Sequence, residues 1–191
     1  MQNKLLWRTK MKLLIASDLH GDLDSVNRLI SAFESEKCDK ILLLGDILYH
    51  GPRNDLPPSY NPKGVIELLN KYADSILAVR GNCDTEVDQM VLSFPILAGY
   101  AYLMLDGISV FATHGHLHNT DNPPSLRKGE ILLHGHTHII KCEEFGNENY
   151  YLNPGSVALP KNGCPKSYMV YENRCFTVKD FDGNTIFTKE F

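Results

Sequence analysis

Leu13-Leu14-Ile15-Ala16-Ser17-Asp18-Leu19-His20-Gly21 begins with four apolar residues and breaks off in a polar tail closed by glycine. The apolar half has the length and continuity of a strand buried on both faces. Past the glycine, Asp22 is suited to cap a helix, in which Val26, Leu29, Ile30 and Phe33 recur at helical spacing to about Ser35. A second apolar run, Ile41 to Leu44, follows. Strand, helix and strand in that order predict a β-α-β unit with parallel strands and a right-handed crossover.

The pattern continues outward from this unit. Gly51 to Pro62 contains Pro52, Pro57, Pro58 and Pro62 and reads as a loop. Gly64 to Tyr72 reads as a helix, Ile76 to Val79 as a third buried strand, and Thr85 to Met90 as a short helix. Tyr100 to Leu105 and Ile108 to Thr113 flank Asp106-Gly107, a strong hairpin signal. Ile131 to Leu133 is a further strand, and later turns are expected at Gly146-Asn147, Glu172-Asn173 and Asp182-Gly183. The second half should be mostly antiparallel, with Tyr100, Tyr102, Tyr150 and Tyr151 in sheet packing. The expected architecture is one α/β domain of packed sheets with helices outside.

Bulk properties narrow the function. The chain has 191 residues, 43% of them hydrophobic and 22% charged, enough to bury a core without staples. A net charge of −4 leaves no basic footprint for nucleic acid. Five cysteines, an odd number with no CxxC pair, argue against a disulfide framework and for a reducing compartment. No apolar run approaches the roughly 20 residues that cross a bilayer. Residues 1–10 are basic and lack a signal peptide's apolar core, and Met11 offers an alternative start. The expectation is an extension over 1–10, a domain over 11–191, and a cytoplasmic protein.

The chemistry-bearing residues gather at strand ends. The first strand ends in Asp18-Leu19-His20-Gly21, the second in Gly45-Asp46, the third in Gly81-Asn82-Cys83-Asp84. The hairpin's return strand ends in His114-Gly115-His116, and the next in His134-Gly135-His136-Thr137-His138. Ligands of open α/β sheets bind beyond the carboxyl ends of strands, so these segments should share one rim. Asp, Asn and His form a mixed oxygen and nitrogen donor set. It suits Mn²⁺, Fe²⁺ or Zn²⁺ better than Ca²⁺ or a thiolate site. In Asp18-x-His20 and His136-x-His138, an extended backbone would point both side chains one way.

In this order the motifs D-x-H, G-D, G-N-x-D, G-H and G-H-T-H resemble the calcineurin-like metallophosphoesterase superfamily. Within it they look most like the small bacterial YfcE-type phosphodiesterases. Gly45 to Asn54, Val79 to Asp84, Glu86 to Met90 and Asn153-Pro154-Gly155-Ser156-Val157 carry the likeness further. The resemblance implies a four-layer αββα sandwich of two mixed sheets flanked by helices. It implies two divalent ions, Mn²⁺ favoured over Fe, Zn, Ni or Mg. Asp18, His20, Asp46 and His138 would hold one ion; Asp46, Asn82, His114 and His136 would hold the other, with Asp46 bridging. Asp46, Asn82 and His114 would also activate water and position phosphate.

Two such ions lower the pKa of a shared water toward ~7, and the resulting bridging hydroxide would attack a phosphodiester in line. Many superfamily members carry His after the asparagine; here Cys83 stands there, as in the YfcE-type group. A thiol with a reference pKa near ~8.5 is a poor proton donor, which favours diesters with acidic leaving groups. Cys83, His116 and Arg53 are candidates to support the site or touch substrate, while His118 and His50 are further proton sources. His134 reads as a core histidine or a donor behind the ligands, Arg80 as half of an ion pair, and Asp84 as a cap. The expected partner is a small phosphodiester, not a membrane or nucleic acid, and a homo-oligomer is open. The alternatives are a phosphomonoesterase or nuclease of the same superfamily, and a binding scaffold on the same fold.

Overall fold

The computed structural model describes residues 11–191, so the expected extension over 1–10 lies outside the described residues. Eleven strands and three α-helices are assigned within them: β1 Leu13–Ala16, α1 Leu23–Ser35, β2 Lys40–Leu43, α2 Pro62–Asn70, β3 Ile76–Ala78, α3 Glu86–Gln89, β4 Tyr100–Leu105, β5 Ile108–Thr113, β6 Ile131–Leu133, β7 Ile140–Phe145, β8 Asn149–Pro154, β9 Ser167–Glu172, β10 Cys175–Asp180 and β11 Thr185–Glu190. They form two mixed sheets, ordered β11-β10-β9-β1-β2-β3 and β4-β5-β6-β8-β7.

β1 is buried at all positions because both its faces are covered. Leu14 and Ala16 pack with Val26, Leu29 and Phe33 of α1 and with Val65 and Leu69 of α2. Leu13 and Ile15 face the other way, into a core with Val110 and Ala112 of β5, Ile131 and Leu133 of β6 and Leu152 of β8. This second cluster fills the space between the sheets. Truncating Leu42 or Leu133 there to Ala would cost about 2–5 kcal/mol. All described helices precede β4 in the chain. No helix among them is long and apolar enough to cross a membrane.

Local chemistry explains the boundaries. Asp22 accepts from the Ser25 N–H and starts α1 as expected. Pro62, expected in the loop, begins α2 instead: Asn61 caps the helix and a proline is tolerated in its first turn. Thr85, not Asp84, caps α3, exchanging hydrogen bonds with Asp88. β3 is not wholly buried. It is the sheet's edge strand, and Leu77 is exposed. The hairpin at Asp106-Gly107 forms as expected, both residues at positive φ. The β9–β10 turn falls one residue later than expected, at Asn173-Arg174. The second half is less antiparallel than its turns suggested, because β5, β6 and β8 pair in parallel.

That parallel pairing positions the site. β1 runs beside β2 with Ala16 opposite Leu43, and β2 beside β3 with Leu43 opposite Ala78. Ser17-Asp18, Gly45-Asp46 and Gly81-Asn82 therefore emerge at one edge. In the other sheet Ala112 pairs with Leu133, which brings the segments after His114 and His134 out together.

Candidate metal centre

The segments carrying the aspartates and histidines are not extended. Asp18, His20, Asp46, His136 and His138 all have left-handed backbones, with φ of 58°, 46°, 56°, 64° and 61°. The i, i+2 spacing thus groups each pair, but by tight left-handed turns rather than by a strand's alternation. Non-glycine residues adopt this region at a cost of roughly 1–2 kcal/mol each, so the surroundings must enforce it. Cross-segment hydrogen bonds do so. The Leu19 and His20 N–H groups donate to the Asp46 carbonyl, and the Asp18 N–H donates to Gly45.

Asp84, expected as a cap, instead organises the site. Its buried carboxylate accepts from the backbone N–H groups of Asp46 (2.8 Å), Ile47 (2.9 Å) and Gly81 (2.7 Å). One side chain thereby ties the end of β2 to the end of β3. Burial pushes its pKa up from the ordinary carboxylate range, with the three donors opposing. Gly81 and Gly135 permit the close approach. A Cβ at Gly81 would lie 2.1 Å from Asp46 Oδ1, and one at Gly135 would lie 1.8 Å from Ser17 Oγ. Asn153 braces the 135–137 turn, donating to the Gly135 carbonyl at 2.9 Å and to Thr137 Oγ1 at 3.0 Å. Asn153 and Pro154 continue β8, and the chain turns only at Gly155, at positive φ.

Each carboxylate has one oxygen occupied and one directed inward. Asp18 Oδ2 accepts from the His136 N–H at 2.9 Å, and Asp46 Oδ1 from the Cys83 N–H at 2.8 Å. Asp18 Oδ1 is buried without a hydrogen-bond partner. It lies 3.2 Å from His138 Nε2 and 3.6 Å from His20 Nε2. Those rings commit their other nitrogens as donors to backbone carbonyls, His20 Nδ1 to Tyr49 and His138 Nδ1 to Leu159. Their Nε2 lone pairs therefore point inward. The second group repeats the design. His114 Nδ1 donates to Leu44 at 2.7 Å. Its Nε2 sits 3.1 Å from Asn82 Oδ1, 3.1 Å from His136 Nδ1 and 3.4 Å from Asp46 Oδ2. Asp46 Oδ2 is also 3.9 Å from His20 Nε2, so this oxygen faces both groups.

Seven side chains thus converge, with more lone pairs than protons to share. The groups Asp18, His20, His138 and Asp18, Asp46, His114 each have donor atoms close enough to hold one ion. The donor set fits a divalent cation. Electrostatics say the same. Burial disfavours charge on His114, yet the Asp46 and Asp18 carboxylates overcome it and raise its pKa to about 9. Burial and then the neighbouring His114 push His136 down to about 4, which leaves its ring neutral. The carboxylate of Asp18, though burial opposes it, is held well below the usual range by His138 and His20.

The other candidates lie around this centre. Cys83 is buried, and burial and Asp46 push its thiol far up, so it stays neutral. His116 is half-buried, its ring 5.4 Å from that of His114. Burial and the His114 charge hold its pKa below the usual value, so it is no ready acid. His118 packs on Phe111 and His50 between Tyr49 and Tyr60. Arg80 does pair with Glu86. His134 is a core residue stacked on Tyr151 at 4.2 Å, but its Nε2 has no partner. A cavity of about 380 Å³ opens over the centre, lined by Asp46, Asn82, Cys83, His136 and His138. Arg53 and Lys161 line it too. Lys161, inside the ordinary turn signal Pro160-Lys161-Asn162-Gly163, carried no sequence cue.

Residues 11–174 match the calcineurin-like phosphoesterase superfamily domain. The chain is 46% identical to Phosphodiesterase YfcE of Escherichia coli K12 over 168 residues, 88% of this chain and 91% of that protein. It is 24% identical to Phosphodiesterase MJ0936 of Methanocaldococcus jannaschii, over 81% of this chain and 89% of the relative. The solved structure of YfcE, described as a phosphoesterase from E. coli, superposes with a TM-score of 0.90 at 43% identity, covering 94% of this chain and 98% of that one. Vps29 from Entamoeba histolytica, solved with zinc, shares the fold at a TM-score of 0.57 and 18% identity, covering 94% and 97%. A domain match over most of the chain, a relative at nearly half identity and a centre of converging lone pairs agree: the chain belongs to the calcineurin-like phosphoesterase superfamily.

Proposed function

We propose that the chain is a metal-dependent phosphodiesterase with a dinuclear centre, in which residues 11–191 form one catalytic domain. The observation that carries this reading is the convergence of donor atoms from Asp18, His20 and His138 on one side and Asn82, His114 and His136 on the other, with Asp46 Oδ2 facing both. Asp18, His20, Asp46 and His138 would hold one divalent ion and Asp46, Asn82, His114 and His136 the second. Mn²⁺ suits the mixed oxygen and nitrogen set. When bound, such a pair acidifies water into a nucleophile near neutral pH and screens the charge gathering on a phosphoryl group.

The chain's own side chains do the rest. Asp46 is the carboxylate able to serve both ions, and Asn82 adds a ligand without charge. Two carboxylates facing two dications leave an excess of positive charge, which draws an anionic ester. Arg53 and Lys161 extend that field to the cavity's rim. Neutral Cys83 neither repels the phosphate nor readily supplies a proton, so leaving alcohols that need no proton are turned over best. All five cysteines are free, which accords with a reducing, cytoplasmic setting.

The test is a comparison of bis-p-nitrophenyl phosphate with p-nitrophenyl phosphate, using purified protein loaded with Mn²⁺. A diester preference of at least ten-fold in kcat/KM is expected. Preference for the monoester would remove the diesterase reading, and an equally active Asp46→Ala variant would remove the metal centre from the reaction.

A further inference from the structure

Two cavities meet at Cys83. The first, of about 380 Å³, contains the ligand side chains and the cationic rim. The second, of about 360 Å³, is walled chiefly by Leu48, Tyr49, Tyr60, Ile66, Val87 and Val91, with Lys63 and Asp88 supplying charge. Cys83 is the one described residue that lines both. Apolar side chains stand open to solvent in the second cavity: Val87 is 69% exposed, Val91 44% and Tyr49 42%. An uncovered apolar groove that shares a wall residue, Cys83, with the polar cavity over the ligand side chains has the form of a split binding site, one part for charge and one for an apolar group.

A phosphodiester has two ester arms, and hydrolysis treats them differently. Negative charge develops on the oxygen of the arm that leaves, which suits the open cavity with Arg53 and Lys161. The retained arm develops no such charge, so an apolar wall costs it nothing. We propose that the groove of Tyr49, Tyr60, Ile66, Val87 and Val91 holds an aromatic or other apolar retained arm of the substrate, and that Cys83, the wall residue the two cavities share, sets specificity by being small enough for that arm to lie across it. The proposal rests on the diesterase reading and names its substrate class. Gly51 packs closely on this residue, since a Cβ placed on Gly51 would come within 3.1 Å of Cys83 Sγ. A larger residue at 83 would intrude on both cavities. A monoester, which has no second arm, would gain nothing from the groove.

The test uses the full chain loaded with Mn²⁺ and two diesters that share one leaving group, phenyl p-nitrophenyl phosphate and methyl p-nitrophenyl phosphate. The phenyl ester should show a KM about ten-fold lower, the order expected for burying most of one ring. Val91→Asp, on the exposed wall, and Cys83→Phe, between the two cavities, should each cut that ratio to about three-fold or less. Independently, the methyl resonances of Ile66, Val87 and Val91 should shift on adding diphenyl phosphate but not dimethyl phosphate. Equal KM values with unmoved methyl resonances would overturn the proposal. It would also fall if Val91→Asp split an oligomer while the phenyl preference persisted, because the groove would then be a self-association face. If neither ester is hydrolysed yet diphenyl phosphate moves the methyl resonances, the groove stands and the catalytic reading fails.

Discussion

His20 and His138 face each other Nε2 to Nε2 across 3.3 Å, while the opposite nitrogen of each ring donates to a backbone carbonyl. Two neutral rings so oriented direct lone pairs at each other, and the unpartnered Asp18 Oδ1 adds another. Only a positive charge, a proton or a metal ion, reconciles the three. Apo protein should therefore be measurably less stable than loaded protein. At Mn²⁺ a hundred-fold above its Kd, the gain is about 2.7 kcal/mol. Chemical denaturation before and after EDTA, with metal content by elemental analysis, checks this. No stabilisation by any divalent ion would refute the centre.

Asp84 touches no ligand atom that faces the centre, yet it holds three backbone N–H groups from two strand ends. Asp84→Asn keeps the shape but turns a donor toward one of those groups. It should cost about 2 kcal/mol of stability and weaken metal binding by roughly 10–100-fold, because Asp46 loses its support. Titration with Mn²⁺ followed by calorimetry reads the second effect. Lost stability with unchanged affinity would make Asp84 a brace of the fold alone.

Burial pushes the His134 pKa down to about 4, its Nδ1 donating to the Gly135 carbonyl and its ring against Tyr151. The folded pKa lies below the unfolded value of 6.5, so the unfolded chain binds the proton first. Stability is full above pH 6.5 and falls as the pH drops from there toward 4. The loss attributable to this ring is at most about 3 kcal/mol. With EDTA present, wild-type protein should lose stability between pH 7 and 4.5, and His134→Phe should lose less. Equal losses in both would show that the acid sensitivity lies elsewhere.

Most of the frame was legible because its signals are local. β1 and β2 are unbroken apolar runs, the Asp106-Gly107 hairpin is a two-residue turn signal, and Asp22 caps α1. Where neighbours decide, local reading failed. Nothing within Ile76–Ala78 says that it is an edge strand, and nothing near Ile131 says that β6 pairs in parallel on both sides. Composition and order pick out the residues that converge, but not how they are grouped: the turns at Asp18, His20, His136 and His138 are left-handed, a backbone uncommon for any residue but glycine and not readable from spacing. Asp84 was misjudged for the same reason. Its partners, Asp46 and Ile47, are a β-strand away in space and nearly 40 residues away in sequence.

Lys161 and Arg53 reach the cavity from separate loops, and both are exposed. Exposed charges act through a screened field rather than through fixed contacts, so their effect should appear in substrate capture. Lys161→Ala and Arg53→Ala should each raise KM for bis-p-nitrophenyl phosphate by about three- to ten-fold while kcat stays within two-fold. In 0.5 M salt, where the Debye length is only about 4 Å, the difference from wild type should shrink. The double variant discriminates further. If both residues act only by long-range attraction their effects multiply, whereas a shared contact with one phosphate oxygen makes the double variant little worse than either single one. A fall in kcat with KM unmoved would place either side chain in the transition state and overturn its role on the rim.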